Sequence, residues 1–284
     1  MSRQRIVQAK SLILFYGAGV STAAGVEPVR KGDDTESSRK WDWNIALGPG
    51  STGPEEWLKW AASQQRESFK WQPTKFHRWL NLEKSGRIKA IFSMNLDGLE
   101  IKSGLIPNVH YYPASYCLHG CEPTQIQGYW RQMICRSSKK RHHRRPATKH
   151  DEQILSNGIC PPCLNCEIET PEEEEARAKV MRPGILLDND QDLSIDMFPI
   201  LSTLRNRYKD GGEVDMLLVV GTSISHSSQN TIAQLKKLAR HAIYVDPSPT
   251  RTDIFDDVLK MTADELAELL GYSDLVNANE VLLS

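Results

Sequence analysis

Residues 11–30 read SLILFYGAGVSTAAGVEPVR: a short apolar run, then Gly17 and Gly19 one residue apart, then small residues up to a third glycine, Gly25. A continuous apolar run of this length fits a strand buried on both faces. Glycines placed directly after it let the backbone close on a phosphate, and a helix beginning there would turn its positive N-terminus toward a pyrophosphate. The complete G-x-G-x-x-G spacing is missing, because the third glycine comes too late. A plain strand-to-helix turn accounts for the same residues, so the choice falls to the rest of the chain.

The pattern repeats. KAIFS precedes Met94-Asn95, GILL precedes Asp188, MLLVV precedes Gly221-Thr222-Ser223, and AIYV precedes Asp246. Between such runs lie helical stretches, among them TIAQLKKLARHA, with Ile232, Leu235, Leu238 and Ala239 at helical spacing. Strand, polar turn and helix in alternation predict an α/β fold, a Rossmann-like parallel sheet with helices on both faces. Ligands of such sheets bind beyond the carboxyl ends of the strands, where these polar signatures fall. SMNLDGLE (93–100) and LHG (118–120) add Asn95, Asp97 and His119 to the candidates. Each has a structural alternative: Asn95 as a helix cap, Asp97-Gly98 as a turn, His119 as a satisfied interior histidine.

The chain has 284 residues, 39% hydrophobic and 25% charged, which suits a globular protein with one large domain and a smaller inserted module. Its net charge of −1 gives no global pull on nucleic acid or membrane, so such a partner would have to be read by a local patch. No apolar run approaches the roughly 18 residues of a membrane span, and the opening MSRQRIVQAK lacks the apolar core of a secretory signal.

Two stretches interrupt the strand–helix pattern. Residues 31–71 are expected to form a cofactor loop and the helical part of a small module, the latter around EEWLKWAAS. Residues 117–180 hold all six cysteines, the basic run KKRHHRR (139–145) and the acidic run EEEE (172–175), and are expected to form its cysteine-rich part. Segments 1–30, 72–116 and 181–284 would then build the nucleotide-binding domain. Cys135, Cys160, Cys163 and Cys166 suit a metal site better than a disulfide framework, and the compartment is read as reducing. Trp57, Trp60, Trp71 and Trp79 are read as core.

In order, GAGVSTAAGVEPVR, SMNLD, HG, the cysteine cluster, RPGILLDND, GTS and YVD resemble the signatures of the sirtuins, NAD-dependent protein deacylases, over residues 11–250. The order looks most like the fungal nuclear branch that deacetylates histones. The resemblance implies a deacylase that consumes NAD, releases nicotinamide and acts on an acylated protein or peptide, with a histone as one candidate. His119 would take a proton from the ribose hydroxyls of NAD, Asn95 would position the nicotinamide ribose and a water, and Asp97 would hold the carboxamide. Gly17, Ala18, Gly19 and Ser21 would line the phosphate turn, with Arg30 supplying a positive charge. Gly221, Thr222 and Ser223 would meet phosphate or ribose. Asp246 would face the adenosine ribose where the family has asparagine.

A structural zinc is implied as well, with Cys135, Cys160, Cys163 and Cys166 as its ligands. Ser138 stands where the family has a cysteine, and Cys117, Cys121, His142 and His143 are further candidates for the fourth place. The nucleus is preferred over the cytoplasm. The loop KKRHHRR is read as solvated, serving import or phosphate contact, and is the one route to nucleic acid. No membrane partner is expected.

Departures from the family pattern bear on activity. Pro28 and Val29 replace an aspartate and a phenylalanine that shields the reactive sugar, and Met94 replaces a glutamine. Asp188-Asn189-Asp190 replaces F-G-E, where a carboxylate meets an apolar acyl chain at a desolvation cost. Two other outcomes therefore stand beside deacylation: NAD hydrolysis or ADP-ribosyl transfer on the same fold, and NAD binding without turnover.

Overall fold

The computed structural model describes residues 2–27, 42–48, 54–83, 86–104, 128–136, 144–164, 180–185, 187, 206, 214–224 and 226–283, without the side chains of 128, 129, 131, 144, 226, 227 and 278–283. The strands among them are β1 (Leu12–Tyr16), β2 (Ile88–Ser93), β3 (Gly128–Cys135), β4 (Arg144–Pro146), β5 (Met181–Ile185), β6 (Val214–Val220), β7 (Ala239–Val245) and β8 (Asp257–Leu259). Five of them form one sheet in the order β2-β1-β6-β7-β8, with every neighbouring pair parallel.

The unbroken apolar character of β1 follows from burial on both sides. Leu12, Leu14 and Tyr16 share a core with Phe76, Trp79 and Leu80 of helix Lys75–Leu82 and with Leu266 of helix Ala263–Leu269. Ile13 and Phe15 enter the opposite core with Ile232 and Leu235 of helix His226–Lys236. This is the expected α/β arrangement.

A second sheet, β4-β3-β5, is antiparallel. It packs with helix Pro54–Ser68, which opens on a proline and two glutamates as a helix N-terminus favours and buries Trp57, Leu58, Ala61 and Ala62. Trp57 and Trp79 are core residues, and Trp60 and Trp71 lie half-covered against the core that helix Pro54–Ser68 shares with the second sheet. Arg66 of this helix pairs with Glu152 of helix Lys149–Ser156.

Three sequence expectations are corrected. GILL does not add a strand to the parallel sheet: β5 begins at Met181 and pairs with β3, burying Ile185 and Leu187 with Trp43 and Trp130. A short apolar run reads alike in either setting. TIAQLKKLARHA is not helical throughout, since the helix stops at Lys236 and Ala239 and His241 extend β7 to pair with Val214 and Met216 of β6. The basic run is not loop throughout. Arg144 and Arg145 belong to β4, and Arg145 is held by both oxygens of Asp151 at 2.5 and 2.6 Å; positions 139–143 lie outside the described residues. Among the described residues, no helix is long and apolar enough to cross a membrane.

Candidate active site

β1 and β6 are adjacent at the place where the connections diverge, β1 running on to β2 at one side and β6 to β7 at the other. The crevice of a doubly wound sheet opens at such a switch point. Both glycine turns sit there and touch. Gly17 N donates to Val220 O at 3.1 Å, and Gly19 N donates to Gly221 O at 2.7 Å. A Cβ on Gly19 would stand 2.6 Å from Gly221 Cα, and one on Gly17 would stand 2.6 Å from Thr222 Oγ1.

One expectation fails here. The residues after Gly17 form a 3-10 turn, Ala18–Ala24, closed by Gly25 at φ 78°, and no α-helix begins. The amides of Gly17 and Gly19 are spent on carbonyls at the end of β6, so they tie the two turns together.

β2 delivers the next segment to the same crevice. Met94 N donates to Tyr16 O at 2.9 Å and Trp130 N to Leu96 O at 2.9 Å, which clamps the loop between β1 and β3. Asn95 Nδ2 donates to Ser21 Oγ at 3.1 Å, and Ser21 Oγ donates to Asp97 Oδ2 at 2.6 Å. Asp97 Oδ1 also accepts from Leu99 N at 2.9 Å, ahead of which Gly98 takes φ 67°. The turn reading of Asp97-Gly98 is thus correct and does not compete with a place in the site. Asn95 does not cap a helix; its side chain joins Ser21. Its Oδ1 is buried and has no partner among the described residues. A buried acceptor left unmatched costs about 1–3 kcal/mol, which a ligand donor would recover.

Gly221, at φ 55°, places Thr222 beside Gly17, and Thr222 O accepts from Tyr244 Oη at 2.7 Å. Ser223 is exposed at the rim. Asp246 follows β7 and accepts from Ser248 N at 2.8 Å, and burial pushes its carboxyl above the usual range. Arg30, His119, Pro28, Val29 and residues 188–190 lie outside the described residues. The structure therefore brings together Gly17, Gly19, Ser21, Asn95, Asp97, Gly221 and Thr222, with Ala18 in the same turn and Asp246 two strands from β1.

Sequence reading missed a polar layer below these residues. Ser93 Oγ donates to Glu100 Oε1 at 2.7 Å and accepts from Asn95 N at 3.2 Å. Thr74 Oγ1 donates to Val20 O at 3.0 Å and lies 2.8 Å from His77 Nδ1. Thr74 followed three residues on by His77 is a legible capping pattern. The burial of Glu100 has no local signal, because glutamate near a helix start ordinarily reads as a solvated first-turn acid.

The second sheet links the segments that carry the described cysteines. Cys135 pairs with Met181, Met181 N donates to Pro161 O at 2.7 Å, and Pro162 bridges Val180. Cys160 and Cys163 flank that proline pair, and none of the three is in a disulfide. Cys166 lies outside the described residues.

A parallel sheet with two glycine turns at its switch point, and an Asn–Ser–Asp set beside them, defines a nucleotide-binding α/β protein of the doubly wound class. The match to the Sir2 family model extends over residues 17–228, well over half of the chain, and the chain belongs to that family. It is 24% identical to the NAD-dependent protein deacetylase hst4 of Emericella nidulans, with 92% of this chain and 46% of the relative covered. It is 25% identical to the NAD-dependent histone deacetylase HST4 of Saccharomyces cerevisiae, with 88% and 70% covered. The chain thus spans about half the length of the first relative. The fold superposes on a Sir2 homologue–NAD complex with a TM-score of 0.65 at 19% identity, covering 98% of this chain and 93% of the other.

Proposed function

We propose that the protein is an NAD-dependent protein-lysine deacylase. The carrying observation is the buried Ser21–Asn95–Asp97 set beside the paired glycine turns, with Asn95 Oδ1 lacking a partner among the described residues. The residues fit NAD: the contact between the turns leaves no room for side chains at Gly17 and Gly19, and Asn95 offers an acceptor for a ribose hydroxyl or an ordered water. When bound, NAD would supply a glycosidic bond to nicotinamide that breaks as the acyl oxygen bonds to the same ribose carbon, with nicotinamide as the leaving group. Ser21 holds Asn95 and Asp97 in register; Asp97 would receive the carboxamide, Thr222 the phosphate or ribose, and Asp246 the adenosine ribose. His119 accepts the ribose proton. The named activities of the two fungal relatives support this reading, and the histone in the name of the Saccharomyces cerevisiae relative supports a histone substrate, for which a nuclear site would be the fitting place. Segments 1–30, 72–116 and 181–284 would build the domain around the parallel sheet and 31–71 and 117–180 the module around the second, except that Met181–Ile185 pairs with β3 and so goes with the module.

Purified protein given NAD and acyl-lysine peptides is expected to release nicotinamide and deacylated peptide together, and His119→Ala is expected to stop both. Absence of nicotinamide release across acyl types would overturn the proposal. Val29 in place of the shielding phenylalanine favours one second reading, transfer of ADP-ribose to water or another acceptor. Nicotinamide released from NAD alone, at the rate seen with peptide, would select it.

Cys135, Cys160 and Cys163 supply three soft donors suited to structural zinc, with Cys166 as the fourth. About one zinc per chain is expected by atomic absorption. Cys163→Ala should lose it and, as structural zinc contributes folding energy directly, melt well below the parent. Equal zinc content in the variant would exclude Cys163 as a ligand.

A further inference from the structure

Arg145 and Asp151 form an ion pair that the cap of helix Lys149–Ser156 does not require. Thr148 and Asp151 complete a capping box between themselves, with Asp151 Oδ2 accepting from Thr148 N and from Thr148 Oγ1 at 2.8 Å each. The fork from Arg145 onto both carboxylate oxygens comes in addition, on an aspartate whose side chain is 2% exposed.

The fork joins the two segments that carry the described cysteines. Arg145 stands opposite Met133 in the β3–β4 ladder. Opposed residues share a face of a sheet, as do residues two apart on one strand, so Arg145, Met133 and Cys135 lie on one side. Met133 and Cys135 are buried there with Leu155 and Cys163. Asp151 opens the helix that contributes Leu155, and Gly158, at φ 73°, then turns the chain toward Cys160 and Cys163. Cys163 is close enough to act on the guanidinium. Bonds to Asp151 first, and then the charges of Asp151 and Cys163, hold Arg145 above its usual value against its partial burial.

We propose that Arg145, fixed by Asp151, is a positioning residue of the cysteine cluster: it holds the β3 and post-helix cysteines in register and sets a permanent positive charge beside Cys163, favouring the zinc-bound site. The inference rests on the zinc reading above. Thiols give up their protons as zinc binds, so three thiolates already outweigh the two charges of the ion, and a fourth doubles the excess. A guanidinium stays charged throughout, and a bidentate carboxylate fixes its plane. Groups behind the ligands govern metal affinity in this way.

The test is titration of the zinc-loaded protein with a chromophoric chelator, well below its melting temperature. Arg145→Gln is expected to hold zinc about 10–100-fold more weakly than the parent, the usual cost of losing a group behind the ligands. Thr148→Ala controls for the helix cap. It removes the hydroxyl from Asp151 and leaves the fork, so it should lower the melting temperature without changing zinc affinity. Zinc held equally tightly by Arg145→Gln and the parent would overturn the proposal. So would the same loss of affinity in Thr148→Ala, which would make Arg145 part of the cap and no more. Should Arg145→Gln fail to fold, Arg145→Lys decides, since it keeps the charge and gives up the fork. Its affinity is expected to fall by less than about tenfold, and a larger loss with the charge in place would overturn the proposal. A parent that takes up no zinc would overturn the zinc reading and this inference together. A parent that binds zinc, beside an Arg145→Gln that binds it as well, overturns this inference alone.

Discussion

Gly19→Ala is expected to abolish stabilisation by NAD and to lower the melting temperature. The new Cβ would lie 2.6 Å from Gly221 Cα, 2.7 Å from Gly221 O and 2.8 Å from Gly221 C, all of them backbone atoms that no rotamer change can move. The two turns would have to separate by most of an ångström. Overpacking of this kind costs about 1–3 kcal/mol, or roughly 2–4 °C of melting temperature for each kcal/mol in a chain of this size. Function should suffer more, because a displacement of about 1 Å at a positioned site costs on the order of a hundredfold. Gly25→Ala is the control. Nothing lies within 4 Å of its Cβ position, but its φ of 78° strains any L side chain. That strain costs roughly 1–2 kcal/mol, and NAD binding should remain. Equal loss of binding in both variants would show that backbone freedom, rather than contact between the turns, governs the site. Differential scanning fluorimetry with and without NAD reads both.

Asn95→Ala is expected to cut nicotinamide release by about a hundredfold or more while leaving the fold in place. The substitution removes the Oδ1 that has no partner among the described residues and one donor to Ser21, whose own bond to Asp97 remains. Asn95→Asp should be no better. It exchanges the Nδ2 donor for an acceptor facing a hydroxyl whose proton is already given to Asp97, and it adds a charge near that carboxylate. A rate within a few-fold of the parent in Asn95→Ala, at a similar melting temperature, would remove Asn95 from the reaction. The quantity to follow is initial nicotinamide release at saturating NAD, so that weaker binding is not mistaken for slower chemistry.

The parallel sheet was readable because burial on both faces demands continuous apolar strands, and β1, β2, β6 and β7 all carry that mark. The candidate residues were readable for a related reason. In a doubly wound sheet the chain must turn at each strand end, and Gly17, Asn95, Gly221 and Asp246 stand at those turns. What failed was the assignment of runs whose neighbours decide their partner. GILL is as apolar as any strand of the main sheet, and only the presence of β3 beside it makes Met181–Ile185 antiparallel.

Sequence by itself therefore determined the order of strands and turns, the two glycine signals, and the group of residues able to handle a dinucleotide. Tertiary structure decided how they act on one another. It spent the amides of Gly17 and Gly19 on β6 instead of a helix N-terminus, joined Asn95 to Ser21 and Asp97, and set Glu100 and His77 beneath them out of reach of water. The physical reason is range. Periodicity and turn chemistry are properties of neighbouring residues, whereas contact between turns and the desolvation of a carboxyl depend on residues that meet only when the sheet has closed.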